Sequence, residues 1–171
     1  YKYLFTPLDT PDNINMEGVR LASILGALAT VLLAESEIIP LNYGRYADEI
    51  LQDIKKSKEL SKFNLSELVN ALEELRDLGY EVAKIGIELV QKQVSENSIK
   101  TYNTTIMRAS RPLNKSLVGE FTYLPDLKII AKKYESEGKD DLVNKFYELL
   151  SSKIVAIQES IGILKTLLSL Q

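Results

Sequence analysis

NLSELVNALEELRDLGYEVAKIGIELV, residues 64–90, carries one pattern from end to end. Leu68, Leu72, Leu75, Val82, Ile85, Leu89 and Val90 recur at the three- and four-residue spacing that places side chains on one face of an α-helix. Asn64 stands where an N-cap belongs, and Glu67 three residues later fits a capping box. The pattern predicts a helix from Leu65 to about Val94, long for a globular protein. Helices of that length with an unbroken apolar stripe pack in bundles or between subunits.

Outward from this helix, the same periodicity continues in both directions. Upstream, a helix is predicted from about Gly44 to Leu60, with Tyr46, Ile50, Leu51 and Ile54 inward. Lys55, Lys56 and Lys58 near its C-terminus suit the helix dipole and read as a solvated helix end. Residues 14–36 form another helix, capped by Asp12 or Asn13 and followed by Pro40. Met16, Val19, Ile24, Leu28, Val31 and Leu32 share one side of it, and Leu21, Leu25 and Leu33 widen the stripe until it nearly encircles the helix. Such a helix is expected at the centre of a core. Its apolar run, Leu21 to Ala34, is bracketed by Arg20 and Glu35 and falls short of the ~20 residues of a membrane span.

Downstream, a shorter helix is predicted over 98–111, with Tyr102, Ile106 and Met107 inward, stopped by Pro112 and followed by a loop over 113–122. Pro125 opens the next helix, which runs through Leu127, Ile130, Ala131 and Tyr134 to a C′ glycine at Gly138. A last long helix covers about Asp140–Leu170, its stripe including Phe146, Ile157 and Leu164. Residues 1–13 alternate like the end of a strand and break at Pro7 and Pro11. The fold expected is all-α: an up-and-down helical bundle with a short extended N-terminal segment.

Composition narrows the chemistry. The chain has 171 residues, 45% apolar and 26% charged, the profile of a soluble globular domain. A net charge of −3 argues against a nucleic-acid partner. There is no Cys and no His, so thiolate and imidazole metal sites, Cys nucleophiles and His-based triads are excluded within this chain. A carboxylate-only cation site stays open. The pairs Glu73–Glu74 and Asp140–Asp141 are sequence neighbours, pointing about 100° apart on a helix, and read as solvated surface. Abundant Ile, Lys, Glu and Tyr point to a thermophilic source. No leader peptide opens the sequence, which reads as cut from something longer. Sequons at Asn64, Asn103 and Asn114 suggest an exported parent, and the sequence leaves open whether that parent is membrane-anchored.

YKYLFTPLDTPDNI, residues 1–14, followed by an apolar helix, resembles the end of the protease domain in zinc peptidases of the aminopeptidase and glutamate carboxypeptidase superfamily. That family has Tyr-His-[Thr/Ser], two residues, then [Asp/Glu]-Thr, the His binding one of two zinc ions. Here Leu4-Phe5-Thr6, Pro7-Leu8 and Asp9-Thr10 occupy those places. LLAESEIIPLNY, residues 32–43, and YADEIL, residues 46–51, are similar to the segment leading into the helical domain of glutamate carboxypeptidases and transferrin receptors. The order of helices that follows resembles that of the transferrin-receptor-like dimerisation domain.

The resemblance implies two parts packed as one unit: 1–38, the end of a protease-like domain with its last helix, and 39–171, a helical dimerisation domain. It implies a homodimer that also contacts the upstream protease-like domain of the parent chain. Phe5 sits at the position of the zinc-ligand His, and a phenyl ring has no lone pair to offer zinc at ~2.0 Å. Leu4 replaces the Tyr that helps hold substrate. The expectation is therefore a chain with no catalytic residue, metal or cofactor of its own, zinc belonging to the related active peptidases. No nucleic acid and no direct membrane span are expected. The two longest helices are the expected pairing surface, through Leu75, Val82, Leu89, Phe146, Ile157 and Leu164. The alternative is a C-terminal fragment of an active zinc carboxypeptidase or aminopeptidase that supports the substrate pocket.

Overall fold

The structure is a computed structural model that describes residues 15–118 and 123–170. The extended segment expected at 1–13, with Leu4 and Phe5, lies outside the described residues. The chain divides into two compact units, Tyr1–Pro40 and Leu41–Gln171.

In the first unit, α1 spans Met16–Glu35 and is capped by Asn15, whose side chain accepts from the Gly18 amide. It begins two residues later than the pattern suggested. The expectation that it sits at the centre of a core is corrected: every residue of α1 is exposed. A stripe that nearly encircles a helix needs cover on all sides. The other described residues of this unit, Asn15 and residues 36–40, are too few to give it.

Among the described residues the second unit is an all-α bundle of five helices, α2 (Tyr43–Lys56), α3 (Ser66–Gln91), α4 (Glu96–Leu117), α5 (Pro125–Glu137) and α6 (Asp140–Lys165), with 3-10 turns at Leu60–Lys62 and Thr166–Leu170. α6 is the hub: it packs against α3, α4 and α5, while α2 lies mainly along α3. Leu68, Leu72 and Leu75 of α3, Ile106 and Leu113 of α4, Leu127 of α5 and Phe146, Ile157 and Leu164 of α6 make a buried apolar interior. Phe63, in the segment leading to α3, stacks on Phe146 at 3.8 Å between ring centroids. The N-cap of α3 is Leu65, which makes no side-chain cap bond, so the capping box expected at Asn64 and Glu67 is corrected. Asn64 instead forms a turn just before the helix, its side-chain oxygen accepting from both the amide and the hydroxyl of Ser66.

α2 crosses α3 backbone to backbone. A Cβ on Gly79 would collide with the backbone nitrogen of Gly44, and one on Gly44 would lie 2.6 Å from the Tyr80 ring. Glycine is required at this crossing because no other residue lets the chains come so close.

α4 corrects a second expectation. It starts at Glu96, capped by Ser95, and runs through Pro112 to Leu117. Proline in a helix costs about 3 kcal/mol through a lost amide and a ring clash. Burial of Leu113 and Leu117, which extend the stripe of Tyr102, Ile106 and Ala109, is worth about 1.5–3 kcal/mol each and outweighs it. The turn before Pro112 is also held from outside, by Tyr43 Oη donating to the Ile106 carbonyl at 2.6 Å and Ser160 Oγ to that of Ala109 at 2.9 Å. Met107, expected inward, is 47% exposed.

α5 begins at Pro125 and ends at Gly138, whose φ of 62° is the left-handed cap expected of it. Lys153 of α6 is buried and ion-paired with Asp126 of α5 at 2.5 Å, which ties the two helices together.

Candidate interaction surface

All six residues expected at a pairing surface lie inside the bundle. Leu75, Phe146, Ile157 and Leu164 are fully buried, and Val82 and Leu89 nearly so. α6 is packed on three sides, so the apolar stripes of the long helices are consumed by this chain's own core. The structure thus corrects the choice of residues. Length marked these helices as sticky, but length alone does not say on whom they stick.

Several titratable groups are held in structural pairs. Along α2, Asp48 accepts from Tyr80 Oη at 2.6 Å, Glu49 from Tyr123 Oη at 2.7 Å, and Asp53 from Lys128 Nζ at 2.6 Å. Burial, aided by the Glu49 carboxylate, pushes the Tyr123 phenol up to about 12. Burial also raises Tyr43 and Tyr46 above the ordinary phenol value. Phenols raised in this way stay protonated at neutral pH and are neither bases nor nucleophiles there. Glu74 pairs with Lys165 at 2.8 Å and Glu73 lies 3.9 Å from Arg76. Among the described residues no three carboxylates gather as a metal site would need. Lys55 and Lys56 fall in the last turn of α2, where their charge suits the helix end.

A recess of about 90 Å³ opens between the start of α2 and the end of α4, lined by Leu41, Asn42, Tyr43, Tyr46, Leu113 and Asn114 among others. The Tyr46 hydroxyl is buried without a hydrogen-bond partner among the described residues. It is closed off even from water, so it offers the recess no handle for a ligand. Of the sequon residues, Asn64 serves the α3 turn, Asn103 is half-buried and Asn114 is exposed.

What is left is surface. α1 exposes Met16, Val19, Leu21, Ile24, Leu25, Leu28, Val31, Leu32 and Leu33, each by nearly half or more. Its hydroxyls, Ser23 and Thr30, both donate to carbonyls of their own helix, so no side chain between Leu21 and Ala34 asks for water. By length and composition α1 could also cross a membrane. On the bundle, by contrast, exposed apolar side chains such as Ile87, Met107, Ile129 and Val155 are scattered over separate helices. Comparison with known protein families, curated proteins and solved structures gives no match.

Proposed function

We propose that the chain is a non-catalytic dimerisation and interaction domain of a glutamate carboxypeptidase-like protein, its bundle pairing with a second copy and α1 packing into an upstream protease-like domain. The observation that supports it is α1: nine large apolar side chains exposed along one 20-residue helix. The largest apolar patch on an ordinary monomer is ~300–600 Å² and usually marks a contact, and an apolar helix exposed on every side exceeds what a soluble surface sustains. The resemblance of residues 1–14 to the end of a zinc peptidase domain supports such a domain as what would cover it.

Light scattering or sedimentation at micromolar concentration tests the pairing: a dimer is expected, and a strictly monomeric chain overturns it. The alternative, a fragment of an active zinc carboxypeptidase or aminopeptidase supporting its substrate pocket, rests on the same need for an upstream domain. Chelator-sensitive peptide hydrolysis, assayed with zinc or cobalt, selects that alternative.

A further inference from the structure

The bundle's surface carries a charge pattern that its core stripes hid. On α4, Lys100, Arg108, Arg111 and Lys115 are all exposed and none makes an ion pair among the described residues. At about 100° per residue they fall within an arc of roughly 80°, opposite the buried face of Tyr102, Ala109 and Leu113. The only acidic residue of α4 is Glu96, at its opening. A helix this basic is out of keeping with a chain whose net charge is −3.

The counterpart lies on α3. Glu73, Asp77, Glu81 and Glu88 are exposed and fall within a similar arc of roughly 80°, interrupted by Lys84 alone. Both stripes run over fifteen residue steps, about 22 Å of helix. Each has one exposed apolar side chain beside its charges, Met107 on α4 and Ile87 on α3. Glu73 and Asp77 share Arg76, and Glu88 holds Lys92, but these are solvated pairs worth little that can be exchanged on contact. Glu81 pairs with no cation among the described residues.

We infer that α4 of one copy docks along α3 of a second copy, basic stripe on acidic stripe. This rests on the self-pairing proposed above and names its surface. In a two-fold dimer the contact forms twice, α4 of each copy on α3 of the other. The chain supplies both partners of the match, of equal length and opposite sign, which is what favours a second copy over an unrelated acidic protein.

A charge-swap experiment on the full chain tests it, using Arg108→Glu/Arg111→Glu and, separately, Asp77→Arg/Glu81→Arg, with circular dichroism to confirm folding. The dimer constant is read by sedimentation in low and high salt. Each variant alone is expected to dimerise at least ~10-fold more weakly, and raising salt to weaken the parent dimer likewise. Mixing the two variants is expected to restore a heterodimer, which association through α1 alone would not do. If reversal disturbs folding, Arg108→Gln/Arg111→Gln gives the same reading with a smaller loss. A dimer indifferent to both variants overturns the α3–α4 contact and leaves self-pairing standing. Loss without rescue on mixing shows that α4 meets something other than α3, which also overturns it. A parent chain that never dimerises overturns the self-pairing reading and this one with it.

Discussion

Tyr43 and Tyr46 sit one turn apart on α2, and their hydroxyls meet opposite fates. Tyr43 Oη reaches the Ile106 carbonyl, while Tyr46 Oη is buried with no partner among the described residues. A buried hydroxyl without a partner costs about 1–3 kcal/mol, and a satisfied one contributes about 1 kcal/mol. Tyr46→Phe is therefore expected to leave the protein as stable or raise its urea midpoint, and Tyr43→Phe to lower it by the equivalent of about 1 kcal/mol. The same phenols set an alkaline limit. Burial, with the Glu49 carboxylate beside it, pushes the Tyr123 phenol from its ordinary 10.0 up to about 12. Its folded pKa is raised, so its contribution is whole below pH 10 and is lost as pH rises toward 12. Tyr43 and Tyr46 shift in the same direction. Far-UV circular dichroism followed against pH is expected to show unfolding begin above about pH 10. The sequence marked Tyr46 as inward, but which hydroxyl would find an acceptor was not legible. Tyr43's partner is 63 residues away, and only the tertiary fold, α2 lying along α3 and α3 beside α4, brings it near.

Among the elements, the long periodic helices were legible because each apolar stripe repeats often enough to overrule local noise. α3 and α6 follow their stripes closely, although Thr166–Leu170 tightens into a 3-10 turn. α4 was cut short in the sequence because Pro112 is a local veto, and the leucines that override it do so through contacts made elsewhere in the chain. The crossing of α2 and α3 was not legible either: Gly44 and Gly79 lie in helical patterns where glycine looks like a mere weakness. Gly79→Ala is expected to destabilise the bundle by about 1–3 kcal/mol or more, since the added methyl meets backbone on the facing helix and not a side chain that can swing away. Gly162→Ala, on α6 with open space around it, is the control, expected neutral or slightly stabilising by chemical denaturation.

At the scale of the molecule, the sequence showed a bundle and a highly apolar helix but not where the apolar surface would end up. Periodicity reports that a face wants cover, and it is silent on whether the cover comes from the same chain. The stripes of α3 and α6 proved to be internal, and α1 did not. The bundle's core is drawn from residues 43–167, so chain 41–171 is expected to melt cooperatively on its own. An environment-sensitive apolar dye is expected to bind the 1–171 chain far more than the shorter one. The hub position of α6 also has a bearing on biosynthesis. α6 is the last of the bundle helices to leave the ribosome, yet α3, α4 and α5 all lean on it. At roughly 5–20 residues per second the earlier helices wait several seconds, half-assembled, for the piece that closes them. Nascent 41–171 chains stalled before α6 should therefore bind chaperones more than those stalled once it has emerged.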